Sequence, residues 1–232
     1  MKVGEYKSPN RALDYNLNRF KDNLKFIHFD EMKALEKLIS ISKLKNQAII
    51  LDLGAGTGRA IKFLLRANPK KIYAFDQSPA MLKLLEENYP NEIKKGLVKT
   101  IVGSSNKITL PKNTIDIVVS LHVFKHIKDI NPTLKEVNRI LNQDGFIIFD
   151  ILNLNSIIRF NLGTCYALDK VYVYKTLEKN GFLVKSILPL HIFGETVYNF
   201  GGVKIIDLID KFISRTGFPI STKFFILAQK YV

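Results

Sequence analysis

A short apolar run that stops on a cluster of glycines constrains this chain more than any other stretch. Ala48-Ile49-Ile50-Leu51-Asp52-Leu53 is followed at once by Gly54-Ala55-Gly56-Thr57-Gly58. A run of that length, apolar apart from one acid, predicts a strand buried on both faces. Glycines let the backbone turn sharply and let a ligand come into van der Waals contact with the main chain. A helix read from Gly58 to Ala67 would offer free N–H groups at its positive end, before Asn68-Pro69 stops it.

The same alternation continues downstream. Strands are predicted at Lys71 to Phe75, Leu97 to Val102, Ile115 to Ser120, Phe146 to Ile151, Phe182 to Leu190 and Lys223 to Gln229. Helices are predicted from Ser78-Pro79 to Tyr89-Pro90, with Ser78 as cap, from Pro132 to Leu141, from Asp169 to Asn180 and from Val203 to Ser214. Upstream, residues 30–45 place Met32, Leu35, Leu38, Ile39 and Ser42 at helical intervals, with Asp30 as the expected cap. Strands alternating with helices imply a doubly wound α/β fold: a mostly parallel sheet with helices on both faces. No linker or repeat divides the chain. The expected organisation is a single domain, residues 46–232, with an N-terminal helical extension or lid over residues 1–45.

With 232 residues and 47% apolar composition, the chain can bury a sizeable core. The single cysteine, Cys165, excludes an internal disulfide and points to a reducing cytoplasm. No stretch reaches the roughly 20 apolar residues of a membrane span. The net charge of +14 leaves an anionic partner such as nucleic acid open. Its basic residues are nevertheless scattered, and the longest basic runs are the pairs Lys70-Lys71 and Lys94-Lys95. A solvated surface explains that pattern equally well.

In doubly wound sheets a ligand sits beyond the carboxyl ends of the strands. The loop here reads G-x-G-x-G. Arg59 stands where the dinucleotide fingerprint needs its third glycine, and G-x-x-x-x-G-K-[ST] is absent. A glycine turn alone could be purely structural. Asp76 adds the second signal, because it ends the next strand, where a carboxylate can accept both hydroxyls of a ribose. A capping role for Asp76 is the plain alternative, but Ser78 already fills it.

These segments resemble the motifs of class I S-adenosylmethionine-dependent methyltransferases of the small-molecule type. Leu51 to Gly58 is similar to the first motif, and Phe75-Asp76-Gln77-Ser78-Pro79-Ala80-Met81-Leu82 to the second. Ile115 to Ser120 with His126-Ile127, then Glu136 to Leu141, Asp144-Gly145 and Phe146 to Ile148, and finally Leu177, Gly181-Phe182 and Val184 resemble the later motifs in order. The likeness covers about residues 46–190. It implies a Rossmann-like, seven-stranded sheet of order 3-2-1-4-5-7-6 with the last strand antiparallel. It also implies S-adenosylmethionine as cofactor, with its methionine part by Asp52, Gly54 and Gly56, its ribose on Asp76, and Ala55 and Gly58 also in the cofactor-binding loop. Gln77, Met81 and Leu121 would border the donor. Two departures stand out. The family often has an Asp against the adenine after the third strand, where this chain has Gly103-Ser104-Ser105-Asn106, so Ser104, Ser105 or Asn106 would take that contact without charge. Lys125 stands where many members have Glu.

Methyl transfer from a sulfonium needs alignment and exclusion of water; no metal is called for. A base helps only where the acceptor must lose a proton. His122, just after the fourth strand, is the candidate; His126 reads as structural, and His28 and His191 as surface or packing residues. Neither Asn/Asp-Pro-Pro-Tyr nor a Pro-Cys nucleophile is present, which favours a small-molecule acceptor over nucleic acid. Residues 1–29, 153–168 and 191–222, with Tyr15, Phe160, Tyr166, Phe193, Tyr198 and Phe200, would supply its pocket, and Tyr6 to Tyr15 a lid. An RNA or protein methyltransferase, or a non-catalytic donor-binding subunit, are the alternatives.

Overall fold

Consecutive strand residues point to opposite faces of a sheet, and here the two faces build two separate hydrophobic layers. Leu51, Leu53, Phe75, Val118, Ile147, Phe149 and Ile226 lie in one; Ile50, Ile72, Ala74, Ile117, Val119, Ile148, Phe225 and Leu227 lie in the other. The computed structural model describes residues 10, 12–14, 24–156, 165–191, 208, 212 and 221–231.

In chain order the elements are α1 (Leu24–Ser42), β1 (Ile49–Leu53), α2 (Ile61–Leu64, extended by a 3-10 turn at Leu65–Ala67), β2 (Lys71–Asp76), α3 (Pro79–Asn88), α4 (Pro90–Lys94) and β3 (Val98–Val102). Then follow β4 (Ile115–Ser120), a 3-10 turn at Phe124–His126, α5 (Asn131–Ile140), β5 (Leu141–Asn153), β6 (Ala167–Leu168), α6 (Lys170–Lys179), β7 (Phe182–Leu190) and β8 (Lys223–Lys230). The sheet order is β3-β2-β1-β4-β5-β8-β7. Strand β8 runs antiparallel to both β5 and β7, and the other pairs are parallel. The two-residue β6 adds itself to the end of β5, with Leu152 opposite Ala167. Without it the order is the expected 3-2-1-4-5-7-6.

Helices α5 and α6 cover the first layer through Leu134, Val137 and Ile140 and through Val173 and Leu177. Helices α1, α2 and α3 cover the second through Met32, Leu35 and Leu38, Ile61 and Leu64, and Leu82 and Leu85. Each such buried aliphatic side chain contributes about 1.5–3 kcal/mol. Ser78 caps α3 as expected, its Oγ accepting from Met81 N, with Pro79 at the first helical position.

Two helix boundaries differ from expectation. Helix α1 is already formed at Leu24, so Asp30 is an interior residue and not its cap. The buried stripe reaches back through Glu31 to Ile27, and packing carries the helix upstream. It stops at Ser42 because Lys43 turns left-handed, with φ +48°. The helix expected over residues 58–67 is reduced to α2 and its 3-10 turn. Gly58 at φ +88° consumes the first turn and Asn68 at φ +48° ends the last. The helix expected at Val203 to Ser214 lies outside the described residues except for Leu208 and Phe212.

Candidate methyl-donor site

The tips of β1, β2 and β4 meet at one end of the sheet. The loop after β1 folds back onto β2, with Gly54 N and Ala55 N both donating to Phe75 O at 2.7 and 3.1 Å. Gly54 has no room for a side chain. Its φ is +80°, and a Cβ there would stand 2.1 Å from Val123 Cγ2. Gly56 also has a positive φ, +54°, but a Cβ there would meet nothing within 4 Å. The loop is therefore clamped at its first glycine and open at its second. Gly58 is packed against the Tyr89 ring and Leu85 Cγ, 2.7 and 3.0 Å from where a Cβ would stand.

That open side is the wall of a shallow cleft lined by Asp52, Gly54, Ala55, Gly56, Thr57, Arg59, Ala60, Leu121 and His122. Asp76 stands behind it. One carboxylate oxygen accepts the Gly56 N–H at 2.9 Å and the other the Ser78 N–H at 2.8 Å. Each oxygen keeps acceptor capacity beyond that one bond. Burial raises the Asp76 carboxyl above its ordinary value, and the N–H groups of Ser78, Gly56 and Gln77 partly offset the rise. Asp52 is more perturbed. Burial, then the charge of Asp76, push it up to about 7, with Arg59 opposing. Its Oδ2 is buried with no hydrogen-bond partner among the described residues.

The remaining expected donor contacts are more scattered. Gln77 is exposed and Met81 is buried at the start of α3. Ser104 donates to Asn106 Oδ1 at 2.8 Å, and Ser105 Oγ lies 3.1 Å from Thr133 Oγ1. This loop is tied down from α5, where Glu136 accepts the Ile108 N–H and Arg139 donates to the carbonyls of Ile108 and Leu110. Lys125 lies in the 3-10 turn, its carbonyl accepting from Tyr166 N. Of the aromatics expected around an acceptor, Tyr166 is exposed; Tyr15, Phe160, Phe193, Tyr198 and Phe200 lie outside the described residues, as does Tyr6.

Behind the cleft lies an ionic cluster that the sequence motifs do not announce. Glu31, fully buried on α1, accepts from Lys223 Nζ on β8 and pairs with Arg59 at 2.8 Å. His122 Nε2 is 2.8 Å from Glu31 Oε1 and 3.0 Å from Lys223 Nζ. Asp150 on β5 accepts the backbone N–H of His122, which has a φ of +64°, and lies 3.6 Å from Lys223. Burial opposes the Glu31 charge, but His122, Lys223 and Arg59 outweigh it and hold the carboxyl well below the usual range. Burial also drives the His122 imidazole well below its ordinary value. Glu31 pulls it up, and Lys223, Arg59 and Lys125 push it further down. His122 is therefore neutral at neutral pH. His126 is neutral too, pushed down to about 4 by burial and Lys125. His28 packs edge-on to Phe63, and His191 is buried.

One signal for Glu31 was present in the sequence. It lies four residues after Ile27 and four before Leu35, on the buried stripe of α1. An acid on an apolar stripe needs a cation.

A mostly parallel sheet of this order, with a glycine loop at the tip of its first strand and an acid at the tip of its second, defines a Rossmann-like protein that holds a ribose-bearing cofactor. The fold and the glycine loop are similar to those of class I S-adenosylmethionine-dependent methyltransferases, whose cofactor is S-adenosylmethionine. Residues 51–149 match the family described as a methyltransferase domain. An uncharacterized methyltransferase-like protein of Schizosaccharomyces pombe is 34% identical over 98 residues, 42% of this chain and 36% of that protein. A malonyl-[acyl-carrier protein] O-methyltransferase of Marinomonas is 25% identical over 151 residues, 65% of this chain and 55% of the relative. The chain thus spans only about a third to a half of the length of the curated relatives it matches. The crystal structure of an S-adenosylmethionine-dependent methyltransferase from Aquifex aeolicus shares the fold, with a TM-score of 0.60 at 20% identity over 90% of this chain and 98% of the other.

The cleft fits the cofactor's chemistry. The unpartnered Asp52 Oδ2 can meet a cationic group. The open face of Gly56 admits a ligand to the main chain, and Asp76 keeps acceptor capacity for hydroxyls.

Proposed function

We propose that this chain methylates a small molecule by in-line transfer from S-adenosylmethionine. The observation that carries the reading is a single cleft joining the open Gly56 backbone to the orphaned Asp52 carboxylate, with Asp76 bonded to that same backbone. In this reading residues 46–232 form the catalytic domain and residues 1–45 its N-terminal extension.

When bound, the cofactor supplies a methyl group already activated by the positive charge on its sulfur. The protein's own part is orientation. Asp52 becomes ionised against the donor's cationic end, and Asp76 accepts hydroxyl hydrogens while keeping its bond to Gly56 N. Leu121 and Ala60 keep water from the transfer path. His122, neutral and on the cleft wall, receives a proton where the acceptor must lose one. Ser104, Ser105 and Asn106 offer uncharged acceptors beyond the tip of β3. The scattered basic surface and the absence of Asn/Asp-Pro-Pro-Tyr support a small acceptor over a nucleic acid.

Calorimetry with S-adenosylmethionine, S-adenosylhomocysteine and NAD tests the reading. The first two are expected to bind and NAD to fail; NAD binding alone overturns it. The net charge of +14 favours RNA methylation as a second reading. RNA affinity that falls steeply with salt would support that one instead.

A further inference from the structure

Strands β3, β2, β1 and β4 are neighbours and parallel, so all four begin at the end of the sheet opposite the cleft. Their starts are level. Ile49 on β1 pairs with Lys71 on β2, Ile72 with Val98 on β3, and Ile50 with Ile117 on β4. The turns that enter β1 and β2 are tied together: Gln47 donates to Asn68 O from both N and Nε2, Asn68 Nδ2 donates to Asn46 Oδ1, and Lys70 N donates to Ala48 O. Every one of the four entries carries exposed lysine. Lys94 and Lys95 precede β3, Lys70 precedes β2, Lys43 and Lys45 precede β1, and Lys112 precedes β4. The far tips of the same strands contrast: Gly54 to Gly58, Asp76 to Ser78, Gly103 to Asn106 and Leu121 to Phe124 hold no lysine or arginine. Elsewhere the basic residues stay scattered; here the topology gathers them.

We propose that this end of the sheet binds the phosphate backbone of a nucleic-acid strand, away from the donor cleft and without presenting the strand for methylation.

The lysines are not there to balance local acids. The entry turns, residues 43–48, 68–70, 95–97 and 110–114, hold no acid; Glu92 on α4 and Asp144 on β5 flank them. Asp116 on β4 is buried and already met by Lys45, the Ile49 N–H and Asn142. Among the described residues the other five lysines have no ion-pair partner. A helix C-terminus favours a following lysine through its dipole, which accounts for Lys43 and Lys94. Lys95 doubles Lys94, Lys70 comes after Asn68-Pro69, and Lys112 enters from a loop, so the dipole explains none of these. Like charges gathered this way repel, and a polyanion relieves them. The surface chemistry selects the partner. Asn46, Gln47, Asn68 and Asn113 are exposed between the lysines, and ammonium and amide groups together are common donors to phosphate and sugar oxygens. A membrane surface calls for apolar side chains to bury, and among the described residues no exposed large apolar side chain lies in these turns. An acidic protein segment is best gripped by arginine, and the turns hold none. Four strands set about 4.8 Å apart spread the cations over about 14 Å, a length in which one strand of a duplex carries about four phosphates. The five-residue β1 separates this end from the cleft by about 16 Å.

Fluorescence anisotropy with a short labelled RNA of mixed sequence, between about 50 and 200 mM salt, provides the test. Wild type should bind at low salt, and its affinity should fall with a log–log slope of about −3, as four single-strand phosphate contacts require. A variant combining Lys70→Ala, Lys94→Ala, Lys95→Ala and Lys112→Ala should bind at least about tenfold more weakly at low salt and lose most of that slope. Its melting temperature and its affinity for S-adenosylhomocysteine should match wild type, because these side chains are exposed, unpaired among the described residues and remote from the cleft. A control that removes as many exposed lysines from helix faces, Lys33→Ala, Lys37→Ala, Lys62→Ala and Lys83→Ala, should keep its RNA affinity within about threefold. Acetylation footprinting of the wild type should show Lys70, Lys94, Lys95 and Lys112 protected by RNA. No RNA binding at low salt, equal losses in the two variants, or protection confined to other lysines overturns the proposal. RNA binding that survives the first set of substitutions moves the strand to another face and overturns it in favour of RNA methylation. Binding to phosphatidylserine vesicles without binding to RNA overturns it in favour of a membrane contact.

Discussion

Replacing Asp52 with Asn should make the ligand-free protein more stable at pH 8, although Asp52 lines the cleft beside the glycine loop. The reasoning starts from the buried, unpartnered Oδ2 and the neighbouring Asp76 charge, which raise this carboxyl from 3.8 to about 7. A group with a raised folded-state value holds its proton more tightly in the native protein than in the unfolded chain. Native stability is therefore lost as pH climbs from the unfolded value to the folded one. The gap between 3.8 and about 7, at about 1.4 kcal/mol for each tenfold change in acidity, amounts to about 4 kcal/mol by pH 8. The amide escapes that loss, but its own unmet donor group costs about 1–2 kcal/mol. The Asp52→Asn variant should thus be near parity with wild type at pH 5 and about 2–3 kcal/mol more stable at pH 8. Urea denaturation at the two pH values, followed by circular dichroism, measures the gap directly. Saturating S-adenosylmethionine should narrow it at pH 8, because the donor's cationic end stabilises the ionised acid and not the amide. A gap that fails to widen between pH 5 and pH 8, or a variant less stable than wild type at pH 8, would refute the argument.

Asp76→Ala should weaken S-adenosylmethionine binding by about 1–3 kcal/mol in calorimetry, the scale of charge-assisted hydrogen bonds; it also frees the Gly56 and Ser78 N–H groups. Gly54→Ala forces a Cβ to 2.1 Å from Val123 Cγ2 at a φ of +80°, so thermal melting should show a loss of at least about 1–3 kcal/mol. Lys223→Met leaves Glu31 short of one cation in a buried site, and denaturant titration should show a loss of about 3–5 kcal/mol.

Periodicity made most of the fold legible. The alternating runs mark β1 to β5, β7 and β8, and Ser78-Pro79 and Asp169 mark helix starts that the structure keeps. The lost boundaries share a cause. Asp30 looks like a cap by residue type, but tertiary burial of Ile27 and Glu31 extends the helix past it. Lys43 and Asn68 turn left-handed without being glycine, and no local pattern marks them. At the site, the β1 loop and Asp76 lie within one βαβ unit, so sequence spacing was enough to bring them together. Glu31, Arg59, His122, Asp150 and Lys223 come from five separate places in the chain, and only the sheet order joins them.

That joining has a consequence for synthesis. Lys223 and Glu31 are 192 residues apart in sequence, and β8 must slot between β5 and β7 before they meet. A nascent chain can complete β1 to β4 and the glycine loop while Glu31 still lacks its lysine. Among the described strands, the ionic cluster behind the cleft is then completed last, when β8 leaves the ribosome. Until that moment Glu31 has Arg59 beside it but not Lys223. Donor added during translation should therefore protect the chain from protease only after residue 223 has emerged.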